Sequence, residues 1–296
     1  MKKIFLLILA LIIFGSFFAQ ENIQVKLKEK KFYTNEATAF VVEIPEAEYK
    51  TIIKAWAKYL KGNLKEKVII ENGEVSINNK FIPKIANDSI DINSYIKEYD
   101  GHIVLAVSFK LKGKYISEDS DEEVFYPTKN YVRNFAVNQY RKAVKEVLKT
   151  ENDKFLKLDS DLKMLIQEND GLIEIIKQSE REIINSKDLI ALNEMDMSSK
   201  VLQIQTQKEV VYKLINTPGD EQKEAKKVLK HIESDFKKLQ KKNKSLYNKI
   251  VTLETKIRET RRKIEYNEKE QKFIKLDKED QEYIVRKIEK KINRIK

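Results

Sequence analysis

Cysteine is missing from all 296 residues. Disulfides, thiolate zinc sites and cysteine nucleophiles are therefore excluded, and stability has to come from packing. Histidine occurs only as His102 and His231, far apart in the chain, and each reads as structural or solvated. The seven glycines are scattered, so there is no phosphate-cradling loop and no serine in a glycine-rich elbow. With only four prolines and 35% charged residues, the composition favours long helices over a loop-rich globule. No catalytic residue, cofactor site or metal site is expected, because no nucleophile, base and orienter can be assembled from what is present. The acidic run 117–123 lacks the glycine and the spacing of a calcium-binding loop and reads as an acidic surface loop.

The first residues are Met1-Lys2-Lys3, then an unbroken apolar run over 4–14, then small Gly15 and Ser16, then Phe17-Phe18-Ala19. A basic start, a short apolar middle and a small residue at the cut make residues 1–19 an expected export signal. The apolar run is shorter than the roughly 20 residues needed to span a bilayer. The expected compartment is a bacterial envelope, periplasmic or extracellular.

Residues 20–127 carry period-two patterning with turn signals. Residues 37–44 are apolar and β-branched enough for a buried strand that Pro45 ends. Tyr49, Ile52, Ile53, Trp56 and Leu60 then recur at helical spacing, which predicts one amphipathic helix over 46–60, with Tyr49 and Trp56 in the core. Asn72-Gly73, flanked by Val68-Ile69-Ile70 and Val75-Ser76-Ile77, is a tight-hairpin signal, and Asp100-Gly101 repeats it between 90–99 and 103–111. The fold class is α+β: a small antiparallel sheet with one packed helix, followed by a long antiparallel coiled-coil hairpin.

Residues 128–296 form that hairpin. From Phe155 the apolar seam advances in steps of three and four without a skip to Leu214, and a second seam runs from Leu229 to Ile295. Between them, 216–220 reads as the turn, with Thr217 as N-cap and Pro218 at the first helical position. Gly171 and the polar stretch 195–200 are the expected places for a bend or break. At an offset of 74, 16 of the 58 positions from Leu158 to Ile215 are identical in the second arm, which suggests internal duplication. If the arms fold back at Pro218, facing residues have numbers summing to about 436. Asn169 then meets Asn267, Asn193 meets Asn243, Ile183 meets Leu253, and small Ser179 and Ser186 meet Ile257 and Ile250. Buried amides facing amides would set the register. The C-terminal end would return beside the head.

Charge is uneven. The formal net charge is +11, yet residues 20–127 have 16 basic and 18 acidic residues and 128–220 have 15 of each. The excess lies in 221–296, with 25 basic against 14 acidic. Its clusters include Lys241, Lys242, Lys244, Arg258, Arg261, Arg262 and Lys263, candidate contacts for an anionic partner. Two function classes follow. The first is a non-enzymatic structural or protein-interaction protein, a coiled-coil spacer carrying a small docking head, with a protein partner in the envelope and self-association open to it. The second is a binder of an anionic envelope component, a membrane surface included, through the basic arm. Nucleic acid is disfavoured, since aromatic residues for base stacking are sparse in that arm.

Overall fold

The computed structural model of the protein describes residues 22–32, 36–62, 67–216 and 219–296. The expected signal at 1–19 and the capping pair Thr217-Pro218 lie outside the described residues. In chain order the elements are β1 (Val25–Lys31), β2 (Glu36–Pro45), α1 (Tyr49–Lys61), β3 (Ile69–Glu71), β4 (Glu74–Phe81), β5 (Ser89–Tyr99), β6 (His102–Leu111), β7 (Lys114–Tyr115), α2 (Glu122–Lys213) and α3 (Asp220–Arg294). The architecture is a small seven-stranded antiparallel sheet with a helix, followed by a long helical hairpin of α2 and α3. The chain divides into two compact units, one up to Phe155 together with Asp280–Lys296, the other Leu156–Glu279.

In the first unit the strand order is β1-β2-β6-β5-β4-β3, with β7 paired to β6. Turn chemistry sets the hairpins. Asn72 and Gly73 both have positive φ (48° and 83°), as a two-residue hairpin loop with Glu71 opposite Glu74 requires. At Asp100-Gly101 only the glycine has positive φ (76°), so that loop closes Tyr99 onto His102 with a different turn. A third tight loop escaped the sequence reading: Lys112 and Gly113 both have positive φ (50° and 80°) and join Leu111 to Lys114. Lysine rarely signals such a turn, because its Cβ makes the left-handed region costly.

Alternation along the strands directs one face to the helices. Phe40, Val42 and Ile44 on β2, Ile103, Leu105, Val107 and Phe109 on β6, and Ile90, Ile92 and Ile96 on β5 share one core with Ile52, Trp56 and Leu60 of α1. Trp56 is fully buried, and its indole N–H donates to Ser94 Oγ at 2.7 Å, so the polar atom it brings into the core is satisfied. An irregularity in β4 between Ile77 and Lys80 turns Lys80 inward. Its Nζ donates to the carbonyl of Lys61 at 3.1 Å, placing a cation at the C-terminal end of α1.

The two long helices complete this core. Val132, Phe135, Ala136, Tyr140 and Val144 from α2, Ile288 from α3, and Ile295 just past the end of α3 are buried in the same cluster. The chain end is tied down as well: Arg141 Nη2 donates to the Ile295 carbonyl at 2.8 Å, Ile23 N–H to the Lys296 carbonyl at 3.4 Å, and Lys291 Nζ to Glu46 Oε1. Helix α2 begins at Glu122, and Pro127 lies inside it. Proline has no N–H and forgoes one early intrahelical bond, while its fixed φ suits the helix. The acidic run thus ends as the first turn of α2, where Glu122 and Glu123 sit at the positive end of the helix dipole.

In the second unit α2 and α3 pack antiparallel. Ile183, Ile190, Ile250, Leu253 and Ile257 form its buried cluster, with Ile176 and Leu246 against it. No break occurs at Gly171 or at 195–200, both of which lie inside the uninterrupted α2. One glycine costs about 1 kcal/mol relative to alanine in a helix. Neighbouring turns with continuous seam contacts outweigh that.

Candidate functional site: the coiled-coil seam and the basic helix face

Seam positions are occupied mostly by Leu and Ile, and the exceptions are where hydrogen bonding has to be arranged. Ser179 and Ser186, each 2% exposed, donate to their own helix carbonyls at Ile175 and Glu182 (2.8 and 2.7 Å). Small and internally satisfied, they leave room for the isoleucines opposite. Asn193 Nδ2 donates to Asn243 Oδ1 at 2.7 Å, so this amide layer is closed across the helices.

The second amide layer is arranged otherwise. Asn267, 4% exposed, donates from Nδ2 to Glu168 Oε2 at 3.2 Å and accepts at Oδ1 from Gln271 Nε2 at 2.7 Å. Gln271 also reaches the Leu165 carbonyl at 3.4 Å. Asn169 Oδ1 is left buried with no hydrogen-bond partner among the described residues. Glu168 and Gln271, which the sequence reading did not single out, therefore take the contacts that an Asn169–Asn267 pair would have made. Gln271 was visible as a polar seam residue, but nothing in the sequence gave its partners.

Glutamines at equivalent repeat positions make the same contact. Gln207 Nε2 donates to the Ala225 carbonyl at 3.0 Å in the second unit, and Gln281 Nε2 to the Glu151 carbonyl at 2.9 Å in the first. The donors are 74 residues apart, and so are the acceptors. The 74-residue likeness thus extends from the sequence to hydrogen bonds across the helices.

Charged residues flank the seam. Lys249 meets Glu182 at 3.0 Å, Lys278 meets Asp159 at 2.5 Å, and Lys200, itself a seam residue, meets Asp235 at 3.9 Å. Hydrogen bonds from Lys163 and then Lys278 hold the Asp159 carboxyl down at about 2. Tyr247 donates to Glu194 Oε1 at 3.2 Å, and that bond raises its phenol above the usual range.

All seven candidate cations are exposed. They do not form a single stripe. Heptad spacing on the continuous α3 puts Lys241 with Arg262, Lys242 with Lys263, and Lys244 with Arg258 in three outward columns. Arg261 pairs with Glu180 at 3.3 Å, whereas the other six have no ion pair among the described residues. The structure thus spreads the positive charge around the solvent side of α3.

No protein-family model matches the chain, and no curated protein does. Among solved structures the chain is similar to the Smc head domain with a coiled coil and joint derived from Pyrococcus yayanosii. That likeness is at 13% sequence identity with a TM-score of 0.23, covering 93% of this chain and 69% of that one. At that score it assigns neither a fold nor a function.

Proposed function

We propose that the protein is an exported, non-enzymatic structural or protein-interaction protein, periplasmic or extracellular, whose coiled coil serves as a spacer and whose α+β head docks a protein partner. The observation that supports this most is the seam itself: two long helices joined by the closed Asn193–Asn243 amide pair. A buried polar pair of this kind favours one register over the slipped alternatives of a purely apolar seam. Export rests on the basic, apolar and small-residue pattern of residues 1–19. The test is a photo-crosslinking residue placed at exposed head positions such as Ile70 and Phe81, activated in intact cells of the source organism. A discrete heteromeric adduct in the envelope fraction is expected, and recovery of self-linked species alone would count against docking.

A second reading has its own support, the six exposed candidate cations of α3 that have no ion pair among the described residues. On this reading the arm binds an anionic envelope component by counter-charge. Retention on an anionic matrix would then fall steeply with salt and drop further when Lys241, Lys242 and Lys244 become glutamine. The spacer reading expects retention that those changes leave nearly untouched.

A further inference from the structure

A cleft of about 400 Å³ lies in the sheet-containing unit, where the C-terminal part of α1 meets α2. Its floor is aromatic. Tyr59 and Phe135 lie with ring centroids 5.2 Å apart, and Phe135 in turn stacks edge-on against Trp56 at 4.7 Å. Its rim is cationic: Arg141, Lys142 and Lys145 follow one another on the exposed side of α2, with Asn138 one turn before them. No acidic residue lines it. None of the three cations has an ion pair among the described residues, and Arg141 spends one N–H on the Ile295 carbonyl. Between floor and rim sits Gln139, only 7% exposed.

These observations are independent of the coiled-coil seam and of the basic second arm. Three unneutralised cations specify an anion, and two or three of them can share one phosphate or carboxylate. The Tyr59–Phe135 floor specifies a flat apolar body next to it, and the volume suits a small molecule. Burial raises the Tyr59 phenol, whose hydroxyl donates to the Tyr131 carbonyl at 3.4 Å. The hydroxyl is thus turned away from acting as an anion itself.

We propose that this cleft binds a small phosphate- or carboxylate-bearing ligand with an aromatic or apolar body, the anion on Arg141, Lys142 and Lys145 and the body on Tyr59 and Phe135. The source is a free metabolite-sized anion or the exposed part of an anionic lipid, and the test separates them. Trp56, the one tryptophan of the chain, touches the cleft floor and reports occupancy by its fluorescence. The full chain is titrated with phenyl phosphate, with inorganic phosphate, and with vesicles of phosphatidylglycerol or of phosphatidylcholine. Saturable quenching by phenyl phosphate, at least tenfold tighter than by inorganic phosphate, supports a free ligand. Saturation by phosphatidylglycerol vesicles alone assigns the same site to a lipid. In either case the Lys142→Gln/Lys145→Gln variant, altered only at exposed positions and melting as the wild type does, must lose at least tenfold in affinity. The proposal fails if neither phenyl phosphate nor phosphatidylglycerol perturbs Trp56, or if the double variant binds unchanged.

Discussion

The two amide layers of the seam look equivalent in sequence, and the structure predicts that their first-arm asparagines, Asn193 and Asn169, respond to substitution with opposite sign. Asn193→Leu breaks the 2.7 Å bond to Asn243, a net loss of about 1 kcal/mol, and leaves the Asn243 carboxamide, 6% exposed, facing hydrocarbon at about 1–3 kcal/mol. A partly buried leucine returns about 1 kcal/mol of that. The single variant should therefore be destabilised by about 1–3 kcal/mol, and Asn243→Leu by a similar amount. When both are leucine no amide is stranded, and stability should return to about the wild-type value, a coupling of about 2–6 kcal/mol. Asn169→Leu removes an oxygen that is already buried without a partner and should stabilise by about 1 kcal/mol. Asn267→Leu, which unpairs Glu168 and Gln271, should destabilise. Urea unfolding followed by far-ultraviolet circular dichroism measures all five proteins. Register is read separately, by an intramolecular disulfide between Ile183→Cys and Leu253→Cys, which should lose yield in the Asn193→Leu/Asn243→Leu background. Additivity of the two single changes to within about 0.5 kcal/mol would show that the amides act alone and would refute the reasoning.

Three further outcomes test other parts of the structure. Gly171→Ala, in a helix with open space where the Cβ would go, should stabilise by up to about 1 kcal/mol. Gly73→Ala should destabilise, because φ is +83° and the new Cβ would lie 3.2 Å from the Tyr49 hydroxyl; thermal melting compares the two. Asp159, held at about 2 by Lys163 and Lys278, has a folded value below the ordinary carboxylate value of about 3.9. Its stabilising effect is therefore complete above about pH 4 and is lost as the pH falls through about 2. A carboxyl-carbon NMR titration should find that midpoint and see it rise in Lys163→Gln and Lys278→Gln, and an unmoved midpoint would contradict the pairing.

Sequence alone determined the elements whose signals are local. The three-four stepping from Phe155 to Leu214 forces one face of a helix to be apolar, and the same stepping after Leu229 forces a second, so two long helices had to find each other. Asn72-Gly73 named its hairpin because few other residues tolerate that backbone, and Trp56 named its helix face by spacing. Tertiary structure decided what depends on distant partners. Gly171 is helical because the turns on either side are held by the opposite helix. Lys112 occupies a left-handed turn because β7 pairs with β6 beyond it. Asn267 chose Glu168 and Gln271 over Asn169, since several acceptors lie within reach of one amide and the backbone positions select among them. The cleft beneath Arg141, Lys142 and Lys145 exists only because α1 and α2, more than 70 residues apart at Tyr59 and Tyr131, are brought together by a shared core. Periodicity specifies which face a residue occupies, whereas packing specifies which neighbour that face meets.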